Sequence, residues 1–139
     1  MKLHLVNAIV TICLTSTSAQ AQFQVVENLQ LRHAVEFTMA TGSTYGGDFQ
    51  GIGAQLKTDK LDRNPALKDF APYAERTVAE GKVGFRLVLS NVGKSDCIFL
   101  FNAPRWIAEI SSVSLPDRKF DDPEHDCGAA NTVEINHYR

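Results

Sequence analysis

The chain is poor in cysteine, proline and tryptophan: three Cys, five Pro and one Trp in 139 residues. No two cysteines stand in Cys-x-x-Cys spacing, which removes the usual dithiol and zinc signatures. There is no Gly-x-Ser-x-Gly and no His-Glu-x-x-His, so neither a nucleophile elbow nor a zinc-protease helix is encoded. Gly51-Ile52-Gly53 lacks the third glycine of a dinucleotide fingerprint, and no complete Gly-x-x-x-x-Gly-Lys-Ser/Thr loop occurs. Basic residues are scattered, with no cluster beyond Arg118-Lys119. Affinity for nucleic acid rests on neutralised phosphates, so a nucleic-acid partner is not expected. Beyond the first 21 residues no apolar run approaches the roughly 20 residues a spanning helix needs. Internal repeats, low-complexity tracts and Asn-x-Ser/Thr sequons are all missing, the last in keeping with a bacterial envelope protein.

The first residues are informative. Lys2 supplies a basic start, Leu3 to Leu14 is mostly apolar, and Ala19-Gln20-Ala21 is a small-x-small cleavage site. This is the layout of a secretory signal peptide over residues 1–21. Removing 21 of the 139 residues leaves 118, Gln22 to Arg139, enough for a single domain with one core. Lys2 leaves with the signal, so 13 basic residues face 16 acidic ones and the net charge is −3. Cys13 leaves too. Cys97 and Cys127 remain, an even number in an oxidising compartment, and a disulfide between them is expected. The location implied is secreted or periplasmic, with no membrane span after cleavage.

The pattern organising the rest is Gly84 to Phe101. Val83, Phe85, Leu87 and Leu89 share one parity, Arg86, Val88 and Ser90 the other, as in a strand with one face buried. Asn91 to Asp96 has turn composition. Cys97 to Phe101 runs without a polar break, which predicts a second strand covered on both faces. Asn91-Val92-Gly93 resembles the Asn-x-Gly hairpins of immunoglobulin-like sandwich domains, and an immunoglobulin-like β-sandwich is the alternative fold that this likeness implies.

Upstream, Leu29, Leu31, His33, Val35, Phe37 and Met39 alternate with polar or small residues. The spacing predicts a strand in segment 25–40, while Asn28 as a cap and Gly42 as a stop leave a helix open. Five of the nine glycines fall between Thr41 and Gly53, a loop, and Ile52, Ala54 and Leu56 suggest a strand after it. Asn64-Pro65 opens a helix over about 65–80, with Leu67, Phe70, Ala71, Ala74 and Val78 on one face, a kink at Pro72 and Gly81 just past the end. Residues 105–115 read as a strand with Trp106 near its start. Pro116 to Ala130 reads as a polar loop, and Thr132 to Tyr138 as a terminal edge or closing strand. The expected fold is α+β: a small, mostly antiparallel sheet or sandwich with one kinked helix, stapled by one disulfide.

The loop from Asp121 to Gly128 is the most suggestive chemistry. Asp122, Glu124 and Asp126 have the alternate spacing that lets carboxylates meet a hard cation such as calcium. Counted from Asp122, the glycine and the closing glutamate of an EF-hand each come one residue late, so the solvated loop competes with the metal site. The remaining histidines are His33, His125 and His137. With His33 and Glu36 on a strand they would face opposite ways, as would His137 and Glu134. No cofactor is implied. These observations predict an exported, non-catalytic binding module, an inhibitor or immunity-type protein for an envelope or secreted enzyme. Trp106, Asp121, Asp122, Glu124 and His125 are the candidate contacts with a protein partner. The competing expectation is a small secreted hydrolase, metal-dependent through residues 121–126.

Overall fold

The computed structural model describes residues 28–139. Residues 1–27, and with them the expected leader and its cleavage site, lie outside the described residues.

The alternation around Phe85 forms a strand, β2 (Lys82–Val92). Its partner β1 (Tyr73–Ala79) reaches it through Glu80 and Gly81, at φ 52° and 76°. Two central residues with positive φ match the twist of a tight antiparallel hairpin. β4 (Asn131–Tyr138) pairs antiparallel on the other side of β2, and β3 (Ser112–Ser114) pairs with β4. The sheet order is β1-β2-β4-β3. One parity of each strand faces the core: Phe85, Leu87 and Leu89 of β2 and Val133 and Ile135 of β4 are fully buried. A helix over 28–43, α1, and α2 (Ile52–Thr58) bring Leu31, Val35, Met39, Ile52 and Leu56 into the same cluster. Each such side chain contributes about 1.5–3 kcal/mol by leaving water. The Phe49 and Phe85 rings meet at 5.5 Å between centroids.

The fold class is therefore α+β, with one disulfide between Cys97 and Cys127. Among the described residues there is one four-stranded sheet and no second sheet to make a sandwich. The edges are guarded in two ways. α2 packs against β1, whose Arg76 donates to the Asp48 carbonyl at 2.8 Å and meets its carboxylate at 3.3 Å, while β3 is only three residues long. Covered or short edges resist pairing with foreign strands.

Several expectations are corrected. From residue 28 onward, segment 25–40 is helix, not strand. The buried positions are Leu31, Ala34, Val35, Thr38 and Met39, at three- and four-residue spacing, and Phe37 faces solvent with 67% of its surface exposed. Gly42 lies inside α1 instead of stopping it, and its missing side chain makes room for the Phe85 ring, which a Cβ would approach to 2.3 Å. The strand expected at Ile52 is α2, with Ile52 and Leu56 buried one turn apart.

The kinked helix over 65–80 does not form. Asn64 Oδ1 accepts the Ala66 N–H at 3.0 Å and starts a short turn, Lys68–Phe70 is a single 3-10 turn, and Ala71 turns left-handed at φ 44° before Pro72. From Tyr73 the chain is β1, and Gly81 serves a hairpin instead of a helix end. The apolar run at Cys97 is α3 (Lys94–Phe101), entered at Gly93, so the Asn-x-Gly hairpin is absent as well. Its burial of Cys97 and Leu100 is helical in spacing. Within 105–115 only Ser112–Ser114 is strand. The last strand is interior, between β2 and β3, not an edge.

Candidate functional site

The acidic loop is a turn with a rigid mount. α4 (Pro123–Asp126) is one helical turn, Pro at its start because that position needs no backbone donor. The Asp126 Oδ2 accepts the N–H of Asp122 at 2.9 Å and of Asp121 at 3.1 Å. The next residue, Cys127, is buried and bonded to Cys97 of α3. Asn131 completes the mount. Its Nδ2 donates to the carbonyls of Val92 and Gly128 at 2.8 and 2.9 Å, and its Oδ1 accepts the Gly128 N–H at 2.8 Å and an Arg118 N–H at 3.2 Å. The turn thus presents Asp121, Asp122, Glu124 and His125 to solvent from a fixed base. Lys119 pairs with Asp121, and His125 Nδ1 lies 3.4 Å from Asp126 Oδ1.

Asp122, Glu124 and Asp126 are not gathered on a common centre. Among the described residues no three His, Cys, Asp or Glu side chains are placed to hold a metal ion. The Asp126 carboxylate is turned onto its own backbone. That contact, with the Asp122 N–H first, outweighs burial and holds its pKa below the usual carboxylate value. A lowered folded pKa stabilises above the unfolded value near 3.9 and is lost as pH falls through the folded one. Stability is therefore expected to fall more steeply as pH drops below the ordinary carboxylate range. Asp126→Asn should flatten that fall, as read from urea midpoints across the range.

Trp106 is half-buried and stacks on Phe99 with 4.8 Å between ring centroids, with the Arg32 guanidinium 5.6 Å from its centroid. It packs on the edge of the core and keeps part of its surface in solvent. His33 stands beside Glu36 at 4.0 Å, one helical turn apart, so the opposite-face expectation fails with the strand. His137 lies on the core side, 2.6 Å from the Glu109 carbonyl and against Phe49 and Phe85. Each of His33, His125 and His137 thus meets a carboxylate or a carbonyl.

The other face of the sheet holds a feature the sequence reading missed. Glu75, Arg86, Asn136 and Ser112 fall in one row across all four strands. Arg86 Nε donates to Glu75 at 2.7 Å, and its Nη1 donates to Glu134 at 3.3 Å. Ser114 Oγ donates to Glu134 Oε2 at 3.2 Å, and Asn136 Nδ2 donates to the Ser114 and Ser112 hydroxyls at 3.1 and 3.3 Å. Burial alone would lower the Arg86 pKa. The hydrogen bond to Glu75 and the charges of Glu134 and Glu75 together raise it above its ordinary value. Above this network opens a groove of about 470 Å³. The available signal was the wet parity of β2, which includes Arg86. β3 and β4, which complete the row, lie far from it in sequence.

Among the described residues no helix is long and apolar enough to cross a membrane. Comparison of the chain with protein-family models, with curated proteins and with solved structures gives no match.

Proposed function

We propose that the chain is an exported, non-catalytic binding module that engages a protein partner through the acidic turn 121–126. The mode is that of an inhibitor or immunity-type protein acting on an envelope or secreted enzyme. The observation that carries this reading is the mount of the turn. Asp121, Asp122 and Glu124 project from a backbone held by the Asp126 carboxylate and by the Cys97–Cys127 bond. A pre-ordered charged loop loses little entropy on binding and steers a basic partner surface towards it. A disulfide persists in oxidising compartments, which supports a secreted or periplasmic location. The layout of residues 1–21 supports export in the same sense.

The test is affinity capture by the immobilised, oxidised protein from its host's envelope and secreted fractions, with mass spectrometry of what is retained. One enzyme held in stoichiometric amount is the expected result. The triple variant Asp121→Asn, Asp122→Asn, Glu124→Gln should slow its association about tenfold at low salt, an effect that fades as salt is raised. An empty column, or a captured enzyme indifferent to the triple variant, overturns the reading.

The His125–Asp126 contact favours a second reading, a small secreted hydrolase. There the carboxylate would orient the imidazole as a general base. Hydrolysis abolished by His125→Ala would favour it.

A further inference from the structure

The groove on the solvent face of the sheet shares no residue with the acidic turn. We propose that it binds a neutral saccharide. Its volume, about 470 Å³, falls within the roughly 300–1,000 Å³ usual for small-ligand sites.

Charge comes first. The groove is lined by two acidic side chains, Glu80 and Glu134, and two basic ones, Lys82 and Arg86. Arg86 is committed to Glu75 and Glu134, so with Glu75 counted three carboxylates stand against two cations. The site therefore offers no positive field to an anion.

Hydrogen-bonding capacity comes second. Ser111 Oγ accepts the Tyr138 N–H at 2.9 Å, and Ser112 Oγ accepts from Asn136. Both hydroxyls keep their own proton to donate. The Asn136 amide oxygen takes no part in the bonds that hold its nitrogen, and neither does Arg86 Nη2 in those to the two glutamates. Along the row Arg86, Asn136 and Ser112 a donor, an acceptor and a donor thus follow one another. A sugar hydroxyl both donates and accepts, and vicinal hydroxyls match such an alternating set. An extended peptide instead spends its backbone groups on a sheet edge, and the edges here are guarded.

The third observation is the aromatic floor. Tyr138 lies over Gly84, where a Cβ would stand 2.9 Å from the ring. An aromatic ring with a polar tip suits a ligand that is apolar on one side and hydroxylated on the other. The cross-strand network holds these groups before any ligand arrives, which lowers the cost of binding.

The test is an amide-resolved NMR titration of the oxidised protein with cellotriose, maltotriose and chitotriose. At least one should give saturable shifts at Gly84, Ser112, Asn136 and Tyr138, with Kd at or below about 1 mM. Ser112→Ala should leave the spectrum folded and weaken binding about fivefold, and Asn136→Ala about tenfold or more, since an unpaired hydroxyl in a polar site is costly. A sulfated disaccharide should bind no tighter than its neutral counterpart. Absence of saturable shifts at these amides up to about 10 mM of every sugar overturns the proposal. So does binding unchanged in both variants, or shifts produced only by a Gly-Ser-Thr-Asn peptide. None of these outcomes bears on the acidic turn, whose partner is read on the capture column.

Discussion

Removing the Cys97–Cys127 bond, by Cys97→Ala with Cys127→Ala or by reductant, should cost about 3.5 kcal/mol of stability. The bond closes a loop with a sequence separation of 30 residues, and the chain-entropy model gives that magnitude for such a loop. Small domains are stable by only about 5–15 kcal/mol, so this is a large share of the total. The melting temperature should fall by roughly 10–20 °C. The competing restraint is Asn131, whose four hydrogen bonds hold the same end of the loop. Each is worth about 1 kcal/mol net against water, and only the one to Val92, 39 residues away, ties the turn to β2. The disulfide instead restricts the unfolded chain, so Asn131 does not replace it. Calorimetry on the oxidised protein, the reduced protein and the double variant decides. If the losses stay under about 1 kcal/mol, the Asn131 contacts set the loop and the bond is redundant. On the proposed reading, the variant should also bind a captured partner more weakly although it loses no charge, because the turn loses its anchor at Cys127.

The sequence made some parts of this molecule legible for a plain physical reason. Val83 to Leu89 and Val133 to His137 carry their own two-residue period, and a strand buried on one face needs nothing else to declare itself. The acidic turn is legible for a similar reason, since Asp126 bonds to residues four and five before it. Segment 25–40 shows where the method fails. Leu31, Val35 and Met39 are four apart, so they satisfy an alternating template and a helical one equally. The residues that decide are Ala34 and Thr38, small or polar and still buried. Their burial is set by the sheet beneath α1, which no local window contains. Around Pro72 the local signals hold and their connection does not: the proline does break the chain, and Gly81 does turn it, but the segment between is strand. The groove was invisible because its parts are far apart. Arg86 and Glu134 are 48 residues from each other and meet only through the β2–β4 register.

That register has a weak point at Gly84, and the second large effect is expected there. A Cβ built on Gly84 would lie 1.7 Å from the His137 carbonyl oxygen and 2.8 Å from its carbon. Both are backbone atoms, so no rotamer change relieves the clash, and β2 and β4 must part where Gly84 opposes Tyr138 and Phe85 opposes His137. Overpacking a close contact costs about 1–3 kcal/mol when side chains can yield, and more when only backbone can. Gly84→Ala should therefore cost about 3 kcal/mol or more. Gly46→Ala, with nothing within 4 Å of its added methyl, should change stability by less than about 0.5 kcal/mol. Gly81→Ala falls between, near 1 kcal/mol, because φ 76° strains any residue with a Cβ although the space is open. Urea midpoints for the three variants separate steric exclusion from backbone strain, with the Gly46 loop as the reference. A near-neutral Gly84→Ala would mean that the two central strands can slide apart without cost. Phe85 and His137 would then not be held against Phe49, and the floor of the groove would not be the fixed surface that its hydrogen bonds require.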